Sequence, residues 1–198
     1  MGSGPERLME LTFYDCSMHP TWLQSVHLLS LTSLTSLDMV NFVDNSPTTL
    51  TALQHLIVLR IEQSWIADNG IHPDDVLAAF STSMTTLQDL NIVGTRNEAE
   101  LLYSFSDTSP DGLVSALCSN TSSWRTSLKT LTLCFYVIEC PTVSTLMKEI
   151  VGLTTLQLLN CCYFPVDDEV PVDDEVFKQE MMALDRPSNV HLVVEMPD

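Results

Sequence analysis

Two stretches, Leu128-Lys129-Thr130-Leu131-Thr132-Leu133 and Leu153-Thr154-Thr155-Leu156-Gln157-Leu158, decide how the chain is read. Each carries apolar residues at its first, fourth and sixth positions. The last four residues alternate apolar and polar, which predicts a short strand with one face turned inward. The same spacing recurs at Leu8, Leu11 and Phe13, at Leu34, Leu37 and Met39, at Leu56, Leu59 and Ile61, and at Leu87, Leu90 and Ile92. A weaker seventh copy is the alternating run Val190-His191-Leu192-Val193-Val194. Counted at the second apolar position, the steps are 26, 22, 31, 41, 25 and 34 residues. One such strand cannot bury its apolar face alone. Parallel stacking of neighbours buries it, with crossovers returning over the outside.

The crossovers carry their own punctuation. Pro20, Pro47, Pro73, Pro110, Pro141 and either Pro165 or Pro171 stand near their starts. Proline suits a first helical turn, where its missing N–H has no partner to lose. Helices are predicted over 74–80, 111–117, 142–151 and 173–184, with carboxylates such as Asp74 and Asp75 at the positive helix end. The Pro47 segment has room for a turn.

Order, spacing and punctuation together resemble leucine-rich repeats of the irregular, ribonuclease-inhibitor-like kind, over residues 8–194. The uneven lengths and proline-led helices look most like the repeat region of fungal F-box/leucine-rich-repeat proteins. The resemblance implies an α/β solenoid of six to seven repeats forming one domain over 1–198. Its curved parallel sheet would be concave, with helices and turns on the convex side. It also implies a non-catalytic module that captures a protein partner, as the substrate-recognition part of a ubiquitin-ligase receptor does. In that family a separate F-box binds the cullin-ligase adaptor. Only seven residues precede the first repeat here, so no F-box is expected within the chain, and the adaptor would be a partner only through an F-box elsewhere in the gene product. The first strand edge would then need a cap or a partner.

In such a sheet the residues between the inward positions face the concave side. The central column reads Thr12, Asp38, Arg60, Asn91, Thr132, Gln157 and His191. Upstream lie Glu10, Ser36, Val58, Asp89, Thr130 and Thr155. Downstream lie Tyr14, Val40, Glu62, Val93, Cys134 and Leu159. From these columns the candidate partner-binding residues are Thr12, Tyr14, Asp38, Arg60, Glu62, Asn91, Thr132, Gln157 and His191. Polar positions ringing a few apolar anchors suit protein recognition. One arginine among several carboxylates argues against a phosphate ligand.

The formal charge is −18, from 8 Lys+Arg against 26 Asp+Glu. Nucleic-acid and anionic-membrane binding need clustered bases and are not expected. Residues 167–198 hold ten acids and two bases. Much of that excess comes from a tandem hexapeptide, Pro-Val-Asp-Asp-Glu-Val at 165–170 and again at 171–176, read as an acidic loop insertion. Calcium binding there is disfavoured because no loop of EF-hand spacing is present, and attraction of a basic partner is the other functional reading.

No cofactor or metal site is expected. Glycine-rich phosphate loops, the nucleophile-elbow motif and H-E-x-x-H are absent from the sequence. Cys16 and His19 have no second pair to complete a zinc site. The alternatives are a hydrolase with its site in the polar 96–111 loop, or a secreted recognition protein. The N-terminus lacks a signal-peptide pattern and Glu6 breaks a myristoylation signal, so Asn120-Thr121-Ser122 is discounted as a glycosylation site. No apolar run is long enough to span a membrane. Six scattered cysteines without a secretion signal point to a reduced protein of the cytoplasm or nucleus.

Overall fold

The structure is a computed structural model describing residues 8–14, 17–18, 31–40, 43–44, 47–62, 65–66, 73–94, 110–162 and 172–196. Its frame is an open, all-parallel sheet of seven five-residue strands. These are β1 (Glu10–Tyr14), β3 (Ser36–Val40), β5 (Val58–Glu62), β7 (Asp89–Val93), β8 (Thr130–Cys134), β9 (Thr155–Leu159) and β10 (His191–Glu195). They lie side by side in sequence order, with no strand inserted out of turn. Three two-residue strands, β2 (Ser17–Met18), β4 (Val43–Asp44) and β6 (Trp65–Ile66), form a second parallel ladder. Each begins three residues after the end of the long strand before it. The bridge between Val137 and Cys162 stands at the same offset behind β8 and β9.

Alternation within each strand sets the two faces. Leu37, Leu59, Leu90, Leu131, Leu156 and Leu192 form one inward row, and Met39, Ile61, Ile92, Leu133, Leu158 and Val194 the other. All are buried, as are Leu34, Leu56, Leu87, Leu128 and Leu153, the first leucines of five copies of the pattern. Burial of each such side chain stabilises the fold by about 1.5–3 kcal/mol.

The connections are helical on the core side. A 3-10 helix (Pro47–Ala52) follows β4, and the helices are α1 (Pro73–Ser83), α2 (Pro110–Cys118), α3 (Trp124–Ser127), α4 (Cys140–Glu149) and α5 (Asp174–Ala183). Pro47, Pro73 and Pro110 open their helices and Pro141 is the second residue of its own. Neighbouring helices touch one another and send Val76, Phe80, Leu113, Leu146 and Phe177 into the same core as the strands. The chain turns so tightly at Gly152 that no Cβ fits beside the Thr126 carbonyl.

Two expectations overlap on the second hexapeptide copy, an acidic loop over 165–176 and a helix over 173–184, and there the helix is found: Asp174, Glu175 and Val176 form the first turn of α5. The Asp173 carboxylate caps that helix by accepting from the Glu175 N–H at 3.0 Å. Residues 163–171, with the first hexapeptide copy, lie outside the described residues.

Hydrogen bonds at each strand entrance fix the register. The Met9 carbonyl accepts from both Thr35 and Ser36. The Thr35 carbonyl does so from Ile57 and Val58, Ile57 from Gln88 and Asp89, Gln88 from Lys129 and Thr130, and Lys129 from Thr154 and Thr155. All ten bonds fall between 2.7 and 3.0 Å. A carbonyl has two lone pairs, so one oxygen serves two donors. The exits are tied as well: Gly94, Phe135 and Asn160 donate to the last carbonyl of the next strand, on Cys134, Leu159 and Glu195. Phe135 and Asn160 reach it with φ of 51° and 53°, in the left-handed region. Asparagine tolerates that geometry, whereas phenylalanine pays about 1–2 kcal/mol for it.

Serine, threonine and tryptophan side chains add a third set of ties between repeats. Thr35 Oγ1 donates to Met9 O, Thr86 Oγ1 to Leu56 O, Thr154 Oγ1 to Lys129 O and Ser123 Oγ to Ser81 O. Buried Trp124 donates its Nε1 to the Met84 carbonyl at 2.9 Å. Trp124→Phe is expected to keep most of the packing and lose that bond, at about 1–2 kcal/mol. Trp124→Ala also opens a cavity and should cost about 3–5 kcal/mol. Urea unfolding of the two variants and the parent checks both the order and the gap.

Candidate functional site

The outward face of the seven-stranded sheet brings the candidate residues together. Strand register places Thr12, Asp38, Arg60, Asn91, Thr132 and Gln157 on one central row, each opposite its neighbour. Tyr14 and Glu62 lie on the downstream row with Val40, Val93, Cys134 and Leu159. His191 is the exception. It pairs with Thr155, on the upstream row, and Val193 takes the place beside Gln157. The alternating run at 190–194 fits two phases equally well. The His191 N–H, bonded to the Thr154 carbonyl at 2.8 Å, selects the phase.

Arg60 organises the N-terminal half of the face. Its guanidinium lies 3.6 Å from Asp38 Oδ2 on one side and contacts the Glu62 carboxylate on the other. The Arg60 side chain is 42% exposed, so these pairs contribute about 0–1 kcal/mol each. Their larger effect is to neutralise the cation within the face. Reversing the charge at Arg60 would bring three carboxylates together, so such a variant reports on this cluster as well as on any partner.

Beside that clamp, three adjacent central residues keep solvent-shielded polar atoms with no hydrogen-bond partner among the described residues. They are Asp38 Oδ1, Arg60 Nε and Asn91 Oδ1. Further along, Thr132 Oγ1 donates to Gln157 Oε1 at 2.9 Å, so that pair is internally satisfied. The face therefore changes character along its length. Asp38 and Glu62 contact Arg60, with Asp89 on the neighbouring strand β7 and Glu10 two strands away on β1, while Thr130, Thr132, Cys134, Thr155, Gln157 and Leu159 carry no charge. Val93, Cys134 and Leu159 form a half-buried strip along the downstream side, and Glu62 parts it from half-buried Val40.

The cysteines Cys118, Cys134, Cys140, Cys161 and Cys162 are free thiols. Burial raises the pKa of every one. Cys118 goes to about 11, with Glu149 adding to the rise, and Cys161 to about 12. On the face itself, burial and then Glu62 raise Cys134. These thiols stay protonated at neutral pH and lack the thiolate that nucleophilic chemistry needs. Cys161 Sγ instead donates to the Leu133 carbonyl at 3.2 Å, tying two repeats together.

Among the described residues, no group of three or more His, Cys, Asp or Glu side chains is placed to hold a metal ion. No helix among them is long and apolar enough to cross a membrane. A shallow, open recess lined by Arg186, Pro187, Ser188, Asn189, Val190 and His191 sits beside β10, away from the Arg60 cluster. The 96–109 part of the polar loop, and Cys16 and His19, lie outside the described residues.

No protein-family model matches the chain, and no curated protein is similar to it in sequence.

The buried thiols predict an alkaline limit. An unfolded thiol releases its proton near 9.0, whereas folded Cys161 holds it to about 12. The folded chain then binds the extra proton, so its stability is intact below about pH 9 and declines as pH rises toward 12. Denaturant midpoints measured from pH 8 to 11 should fall, and Cys161→Ala should flatten the slope. A disulfide-exchange reagent at pH 8 should titrate Cys161 only after unfolding.

Proposed function

We propose that the chain is an irregular leucine-rich-repeat solenoid that captures a protein partner on the outward, concave face of its sheet. The sequential parallel strands, the second short ladder at a constant offset and the helical returns all support the repeat reading. Concave sheet faces are the usual working surface of solenoids.

One observation carries the binding reading: the shielded atoms of Asp38, Arg60 and Asn91 lie side by side at the centre of the N-terminal half. Each such atom costs about 1–3 kcal/mol when left without a partner. Solvent does not reach them as they stand, so a partner engages them after their side chains turn outward, and they then ask for a donor, an acceptor and a donor in turn. An extended peptide offers both kinds of group along its main chain. The surrounding carboxylates favour lysine or arginine at one end of it, and the Val93, Cys134 and Leu159 strip favours apolar side chains at the other. The partner is thus a protein segment with basic and apolar halves, and the face does no covalent chemistry.

The likeness to the repeat region of F-box proteins sets the biological reading. Capture here selects a target for ubiquitin transfer when the repeats are joined to an F-box.

A photo-crosslinking residue at Asn91 should capture a discrete protein from cell extract, and the same residue at Val151, which is 66% exposed, should not. With the captured protein in hand, Asn91→Ala should weaken binding about tenfold, near 1.4 kcal/mol. Asp89→Lys should weaken it further and reduce its salt sensitivity. Equal capture at both positions, or affinity unmoved by both substitutions, would sink the reading. Ubiquitylation of the captured protein by a ligase carrying these repeats tests the F-box part separately.

A further inference from the structure

Strands β7, β8 and β9 end in the same step. The residue after each, Gly94, Phe135 or Asn160, donates its N–H to the last carbonyl of the following strand. At the corresponding places after β1 and β3 the sequence has Asp15 and Asn41. Glycine, asparagine and aspartate take left-handed backbone with the least strain. Phe135 is the exception, held at φ 51° beside Asn160 at 53°. Its ring adds nothing to the exit bond, which the backbone makes by itself.

The ring does not fill the core either. The half-buried apolar side chains packed against the core of described residues include Met196, which follows β10, but not Phe135. Tyr136, the next residue, is the one that is fully buried. Phe135 is half-buried in another setting. It follows Cys134 directly and bonds to the carbonyl of Leu159 at 2.9 Å. Those two residues, with Val93, make the half-buried apolar strip on the downstream side of the face. A residue held in strained backbone without a return in core packing points to function.

We infer that Phe135 is a specificity-determining residue of the outward face, an aromatic anchor that continues the Val93, Cys134 and Leu159 strip past the strand ends and receives the apolar half of the captured segment. The inference rests on the peptide-capture reading and deepens it by selecting large apolar side chains at that end of the segment. An aromatic ring offers a broad contact surface with few rotatable bonds, and the fixed left-handed backbone sets where it emerges. Such anchors carry a large share of binding energy where they meet a complementary group.

The probe is a synthetic peptide with lysines in one half and leucines in the other, beside a counterpart with serines in place of the leucines. A fluorinated phenylalanine at 135 of the full chain should be broadened by a soluble paramagnetic agent, and less so once the lysine–leucine peptide is bound. Phe135→Asn should weaken that peptide about tenfold and leave the lysine–serine peptide unmoved. Its urea midpoint should stay level or rise, because asparagine suits the left-handed geometry. Phe135→Tyr keeps the ring and should keep the affinity. A lowered midpoint in Phe135→Asn would show that the ring serves packing and would overturn the inference. A ring shielded in the free chain would do so too, by showing that the chain's own residues cover it. Unchanged affinity in Phe135→Asn, with Asn91→Ala still weakening the peptide, would remove Phe135 from the site and leave the capture reading standing. A parent chain that does not bind the lysine–leucine peptide, or binds both peptides equally, would overturn the capture reading and this inference together.

Discussion

A single carbonyl serving two amides, at five of the six junctions between long strands, is the constraint on which the structure depends. It recurs at Met9, Thr35, Ile57, Gln88 and Lys129. A five-residue strand has too little apolar surface and too few internal bonds to stand alone. Tied at its entrance, it must begin level with the strand before it, and leucines at fixed spacing then fall into unbroken rows. Connection length is free under this constraint. The step between second apolar positions ranges from 22 to 41 residues, yet every pair of strands keeps the same five-residue register.

That separation explains what could be read in the sequence. Inward positions were legible because packing admits few residue types there, and Pro47, Pro73 and Pro110 marked helix starts because proline fits that place. His191 was misplaced by one rung pair because Val190 to Val194 alternates without the leading leucine that sets the phase elsewhere. The second hexapeptide copy fitted both a loop and the helix over 173–184, because acids suit a solvated loop and a carboxylate at Asp173 is also a good helix cap. The two-residue strands of the second ladder are too short to leave a period. Serine and threonine side chains bond to carbonyls 25 to 42 residues away. Such pairs carry no local signature. The Arg60 clamp was hidden for the same reason, since Asp38 belongs to the preceding repeat.

Acidity also divides once the structure is in view. Asp173, Asp174 and Glu175 serve the start of α5, where negative charge is favourable. Asp38 and Glu62 are held by Arg60. Glu10 and Asp89 share the face without changing its backbone. A net charge of −18 therefore reflects at least two local demands, helix capping and the chemistry of one face, rather than a uniform coat.

Rigidity of the ladder gives the centre of the face its significance. In a loop, a shielded Asn91 oxygen or Arg60 Nε would be relieved by a small backbone movement. Here Asp38, Arg60 and Asn91 sit on three strands whose entrances are tied to one another. Moving any one strand breaks a doubled bond and displaces leucines from a packed row, at a cost well above that of one unmet polar atom. The backbone therefore stays fixed around these groups, and only rotation of their side chains can bring them to a partner. Under the proposed reading, a partner would meet strands that are already ordered, so that side-chain rotation is the main ordering cost left.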